Sequence, residues 1–201
     1  MRLSIGYMLL LFYLSCGINA QQEMSLHSDM GDIHLHLFPE TPGHTEHFMR
    51  LAENNPADTF FFYQVIRDQL IGFGPAPEVP VPGYILEPEI KYPLRSGALA
   101  AALADKDLAH SDGSHFFIVQ GRPQTDATLD AIEQKEGIRF SADDRRIYKQ
   151  FGGQPQLHGK YTVFGQVMRG MEVVDRIAAV PRDARDRPLR EIRVWLIETG
   201  H

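Results

Sequence analysis

Cysteine is almost absent from this chain. Cys16 is the single one in 201 residues, and it stands near the amino terminus. Everything after it lacks a thiol for disulfides, for a cysteine-ligated metal or for nucleophilic attack. Stability must therefore come from a packed core, which an apolar content of 43% can supply. Long apolar runs are scarce too. The run from Leu3 to Ser15 falls short of the roughly 20 residues that span a bilayer, so no membrane span is expected. Positive charge is in deficit, 20 Lys and Arg against 26 Asp and Glu, for a net charge of −6. That argues against a nucleic-acid partner, which calls for a basic patch. The acidic residues form no long block and read as solvated surface. No internal repeat or low-complexity segment interrupts the chain, and one domain over 21–201 is expected.

What the chain does have begins with a leader. Arg2 precedes the apolar run, and Ile18-Asn19-Ala20 follows it, the order of a secretory signal peptide over 1–20 cleaved after Ala20. The competing reading is a lipoprotein signal with Cys16 acylated after Leu14-Ser15. Tyr13 weighs against it, because an aliphatic residue is usual there.

Beyond the leader, period-two alternation of Ile33, Leu35 and Leu37 with Asp32, His34 and His36 predicts a half-buried strand. That strand closes a hairpin over Met24 to Phe38. Thr41-Pro42 predicts a helix start, with Thr as N-cap and Pro at the first helical position. Phe48, Leu51 and Ala52 then lie on one face. Strands are expected at Thr59–Ile66, Leu70–Gly74, Gly97–Leu103, Phe116–Gln120, Tyr161–Val167 and Ile192–Glu198. Pro75 to Gly83 is expected to be an extended loop, and Asp105 to Gly113 a polar one. Helices are expected at Asp126–Glu136, at Ala142–Phe151 between Ser141 as cap and Gly152 as stop, and at Met171–Ala178. Many short strands framed by two helices fit a closed antiparallel barrel of mainly β class.

Three segments carry a family likeness: Phe61-Phe62-Tyr63-Gln64-Val65-Ile66, Gly113-Ser114-His115-Phe116-Phe117-Ile118, and Leu157-His158-Gly159-Lys160-Tyr161-Thr162-Val163-Phe164-Gly165-Gln166-Val167. In this order the chain resembles the cyclophilin-type peptidyl-prolyl cis-trans isomerases. The likeness runs from about Met24 to Glu198, and it implies an eight-stranded antiparallel barrel capped by two helices. Residues Gly121 to Pro155 depart from the compact pattern and look like the helical insertion of secreted Bacteroidetes-type relatives. The resemblance implies no cofactor or metal, a monomer, and proline-containing peptides or unfolded exported proteins as partners. Export by a bacterium would place it in the periplasm.

The same resemblance implies the site. Rotation about an X–Pro bond faces a barrier of roughly 20 kcal/mol from amide resonance. The family holds the proline ring in an apolar pocket and aims an Arg at the prolyl nitrogen as it pyramidalises. Here the Arg position holds Gln64. Phe117, Leu157 and Ala102 match the family's residues, Leu70 replaces a pocket Met, and Tyr161 replaces a pocket His. The departures are Gln69 for a pocket Phe, Gly72 and His115 for two groove Gln, Leu103 for a groove Asn, and Gln156 for Trp or His. Gln64 still donates through its amide but carries no charge. The difference between a neutral and a charge-assisted hydrogen bond costs roughly tenfold in rate. The sequence thus supports an isomerase with weakened catalysis. The alternative is a non-catalytic module that binds proline peptides.

Other clusters carry less. His34 with His36, and His44 with His47, lack a third ligand and read as solvent-facing polar residues. Asp112, Ser114 and His115 have no nucleophile-elbow context.

Overall fold

In the computed structural model, the described residues are 23–54, 60–75, 85–104 and 107–198. The expected leader and all but the first residue of the loop expected over Pro75 to Gly83 lie outside them. Three successive hairpins and two later single strands form the wall. The strands are β1 (Glu23–Ser28), β2 (Gly31–Leu37), β3 (Phe60–Ile66), β4 (Leu70–Pro75), β5 (Ala98–Ala104), β6 (Asp107–Val119), β7 (Val163–Arg169) and β8 (Arg193–Glu198). They close as an antiparallel barrel in the order β1-β2-β7-β5-β6-β4-β3-β8. Closure removes free sheet edges.

The alternation read from β2 holds, with Ile33, Leu35 and Leu37 buried between less buried neighbours. The core inside the barrel joins these to Phe62, Val65, Ile71, Phe73, Leu99, Ala101, Phe116, Ile118 and Phe164. Helix α1 (Pro42–Asn54) drives Phe48 into it, edge-on to Phe116 at 4.9 Å and Phe164 at 5.3 Å. Helix α4 (Met171–Ala178) adds Val173, Val174, Ile177 and Ala178. The two framing helices are thus parts of the core.

The insertion between β6 and β7 carries α2 (Asp126–Glu136) and α3 (Ala142–Phe151). Both begin on side-chain caps. Thr125 accepts from the Thr128 amide, and Ser141 and Asp144 form a reciprocal capping box. Leu129, Phe140 and Tyr148 make a small core of their own under these helices.

Several expectations need correction. Thr41 does not cap α1 with its side chain, because its hydroxyl donates to the Phe38 carbonyl. The carboxylate of Glu89 caps α1 instead, accepting from the Gly43 amide at 3.2 Å and the His44 amide at 3.1 Å. Pro75 is the last residue of β4, opposite Phe60, rather than the start of a loop. The segment expected as a polar loop before Phe116 is largely strand: β6 begins at Asp107 and pairs there with Ala104. The pairing slips by several residues between Ala101↔Phe116 and Leu103↔Ser111, which pushes Asp112 to His115 out of the ladder. β7 starts at Val163, two residues later than expected.

His44 and His47 are buried, not solvent-facing. They pin α1 to the displaced turn. His44 Nε2 lies 3.0 Å from the Ser111 hydroxyl, and His47 Nε2 bonds the Gly113 carbonyl. The other ring nitrogen of His44 sits 2.7 Å from Glu89 Oε2. Burial lowers the His44 pKa, against the opposing pull of Glu89. Burial alone would raise the Glu89 carboxyl, but the hydrogen bonds from His44 and from the helix amides outweigh it and hold the group low. The consistent state is a neutral imidazole donating through Nδ1 to a carboxylate and accepting the Ser111 hydroxyl at Nε2. Among the described residues no cluster of three or more His, Cys, Asp or Glu is placed to hold a metal, and His34 bonds the Ser25 hydroxyl at 2.9 Å.

Candidate active site

The outer face of β3, β4, β6 and β5 carries the candidate groove. Register makes it a set of rows. Gln64 stands opposite Gly72, Gly72 opposite Phe117, and Phe117 opposite Ala100. The next row runs from Ile66 through Leu70 to Val119. Ile71 and Phe73 point into the core, so Leu70, Gly72 and Gly74 point out.

A bulge makes the first row unusual. The β3–β4 register shifts between Phe62 and Gln64. Phe62 and Val65 both face the core, so the two residues between them, Tyr63 and Gln64, both lie on the outer side. The far edge of this stretch is tied down, with the Phe62 amide donating to Ile192 and the Val65 amide to Asp186.

An apolar pocket adjoins the row. Phe117 is 5% exposed and packs with Ala98, Ala100, Leu94, Val119 and Val163. Leu70, Leu157 and Tyr161 pack against that cluster while remaining partly open to solvent. The Tyr161 ring meets Phe117 edge-on at 5.1 Å and 87°. Four residues drawn from distant segments by likeness alone thus line one apolar surface. Gln69 and Gln156 lie apart from it, at a polar recess shared with Arg67, Arg122 and Gln154. Gln69 is exposed, and its carbonyl accepts from the Gln154 side chain and the Gln120 amide. The Gln156 amide bonds Gln154. Ala102 and Leu103 occupy the slipped end of β5, with Leu103 opposite Ser111.

His115 stands on the displaced turn and is held hard. Its ring Nδ1 lies 2.6 Å from Asp112 Oδ2, while Asp112 Oδ1 accepts the Ser114 and His115 amides at 2.9 Å each. Burial tends to raise the Asp112 carboxyl, but these bonds prevail and keep it ionised below its ordinary range. The His115 ring covers Gly74, where an added Cβ would lie 2.8 Å from ring Cδ2.

Tyr63 is the groove residue that sequence reading passed over. Its phenol lies on Gly72: a Cβ at that glycine would meet Tyr63 Cζ at 3.1 Å and the hydroxyl oxygen at 3.2 Å. Its ring meets His115 edge-on at 5.2 Å. The signal available was a bare glycine on an outward strand position across from an aromatic residue, a pairing that fills what Gly leaves open.

A closed barrel plugged by two helices, with an apolar pocket beside a polar row on its outer sheet, defines a class. The sequence profile of the cyclophilin type peptidyl-prolyl cis-trans isomerase/CLD family matches residues 23–199, and the chain belongs to that family. A peptidyl-prolyl cis-trans isomerase of Staphylococcus haemolyticus, so named by inference, is 28% identical over 181 residues, covering 88% of this chain and 90% of the relative. One from Staphylococcus saprophyticus is 29% identical over 194 residues, covering 92% and 95%. Among solved structures, a cyclophilin type isomerase of Cryptosporidium parvum shares the fold at a TM-score of 0.67 and 20% identity, over 90% of this chain and 99% of the other. That protein was also crystallised in the presence of the dipeptide Ala-Pro, and this second structure is likewise similar at a TM-score of 0.67 and 21% identity.

Proposed function

We propose that this chain isomerises X–Pro bonds in exported polypeptides, more slowly than relatives that carry the catalytic Arg. The observation that carries the reading is the row Gln64–Gly72–Phe117 beside the Leu70, Leu157 and Tyr161 surface. An apolar surface of that kind suits a proline ring, and polar groups at its margin suit the flanking peptide. The Ala-Pro dipeptide used with the Cryptosporidium parvum protein supports this choice of ligand. Slower turnover follows from the neutral amide at Gln64, roughly tenfold by the difference between neutral and charge-assisted hydrogen bonds. The leader over 1–20 supports export, and the periplasm is the compartment proposed.

Exchange spectroscopy on an Ala-Pro peptide tests the reading. Line broadening at substoichiometric protein, faster than the uncatalysed tens of seconds, is the expected result. Binding without exchange would favour the second reading, a non-catalytic proline-peptide module, for which the missing Arg is the motivating observation. Neither binding nor exchange would overturn both. Intact mass of envelope-purified protein tests the export claim, and a lipid adduct on Cys16 would replace cleavage after Ala20 with anchoring.

A further inference from the structure

The bulge in β3 places two consecutive side chains on the groove face, and that of Tyr63 lies over the row. The Tyr63 phenol occupies the space above Gly72, so its hydroxyl stands at the row position between Gln64 and Phe117. Phe117 is the floor of the apolar pocket. The phenol is therefore one strand away from any ring seated on Phe117. Among the described residues, the Tyr63 hydroxyl has no hydrogen-bond partner. A hydroxyl that is partly buried and unpaired at the lip of a pocket is costly unless a ligand completes it.

We propose that Tyr63 is a catalytic residue, its hydroxyl donating a hydrogen bond to the prolyl nitrogen of the bound peptide in place of the cationic donor that Gln64 cannot supply. This rests on the isomerase reading above. The step needs no proton transfer. As the C–N bond twists, the nitrogen lone pair leaves the amide resonance and becomes an acceptor. A fixed O–H donor then bonds the twisted state more strongly than the planar one, which lowers the barrier. Three observations suit Tyr63 to the role. Its ring is braced by His115, which Asp112 in turn holds through a 2.6 Å bond. Gly72 leaves the phenol its room, since any side chain there would strike it. Burial, with the negative charges that Asp112 and Tyr161 can carry nearby, pushes the phenol pKa well above its ordinary 10.0. The group therefore stays protonated, and a donor, at any working pH.

The test compares wild type, Tyr63→Phe and Gln64→Ala in two assays, exchange spectroscopy on an Ala-Pro peptide and titration of the same peptide for affinity. Phe keeps the ring over Gly72 and removes only the hydroxyl. Tyr63→Phe is expected to bind peptide within about twofold of wild type while kcat and kcat/KM both fall roughly tenfold. Gln64→Ala is expected to lose less than Tyr63→Phe. Retained peptide affinity doubles as proof that the groove is folded. Wild-type turnover in Tyr63→Phe overturns the assignment. So does weaker binding with unchanged kcat, which would make Tyr63 a ground-state binding group. A wild-type protein that binds peptide without turning it over would instead refute the isomerase reading on which the assignment stands.

Discussion

The seating of Tyr63 on Gly72 predicts that one substitution will change sign with its background. Gly72 shows no left-handed backbone, so alanine fits its conformation. In open space such a change stabilises by about 0.4–1 kcal/mol, through the unfolded chain. Here the new methyl would lie 3.1–3.3 Å from three atoms of the Tyr63 ring. The ring cannot slide freely, because His115 stands edge-on at 5.2 Å and is itself fixed by Asp112. Overpacking of this kind costs about 1–3 kcal/mol. Gly72→Ala should therefore destabilise wild type by about 1 kcal/mol. In a Tyr63→Ala background the obstacle is gone, and the same substitution should stabilise. The coupling in the double-mutant cycle is expected at about 1–2 kcal/mol. Urea unfolding of the four proteins, with a common slope, measures it. Additivity within about 0.5 kcal/mol would show that the phenol does not rest on Gly72, and the argument for its place in the groove would go with it.

Three further outcomes follow from the same geometry. Gln64→Arg should raise kcat/KM roughly tenfold on an Ala-Pro substrate by restoring a charged donor, and no gain, alone or with Gln69→Phe, would mean that the row is arranged for another ligand. The His44 pKa lies below its ordinary 6.5 in the folded chain, so the unfolded chain takes up the proton first and stability should fall as pH drops through 6.5; His44→Gln should flatten that slope between pH 7.5 and 5.5 in urea unfolding, and an unchanged slope would refute it. Ser141→Ala removes one half of the capping box on α3 and should cost about 1 kcal/mol, seen as faster amide exchange in the insertion with isomerase turnover unchanged.

Elements whose signals are local were legible in the sequence. Both insertion helices carry caps and stops within a few residues of their ends, and their limits agree with the structure. The alternation in β2 and the existence of α4 needed no distant partner to be read. Failures fall where the deciding partner is far away in the chain. The stretch expected as a loop from Asp105 to Gly113 looks like one because it is polar, yet Asp107 and Ser111 within it join a slipped ladder with β5. His44 and His47 look like surface residues because nothing near them in sequence explains burial. Their partners Glu89, Ser111 and Gly113 lie 45, 67 and 66 residues on. Thr41 has the identity of a cap, but a carboxylate arriving from Glu89 outcompetes its hydroxyl for the helix amides. Tyr63 was visible as a letter in a motif, but its role depends on a bulge and a cross-strand glycine.

The side chains around the candidate groove fit one another in space, and this bears on whether the groove serves a ligand. Side chains lost one at a time from an idle surface would leave gaps, and unfilled gaps forfeit packing. At Gly72 the room over the glycine is filled by Tyr63, and at Gly74 the His115 ring stands where a Cβ would go. His115 is braced by Asp112, and Asp112 also orders the turn that presents it. The pocket beside them keeps an apolar floor in Phe117 and an aromatic wall in Tyr161. The Tyr63 hydroxyl at the pocket's lip and the Tyr161 hydroxyl on its wall both lack a hydrogen-bond partner among the described residues. A groove packed this fully, with two phenol hydroxyls beside an apolar floor, offers hydrogen-bond donors to a ligand seated there.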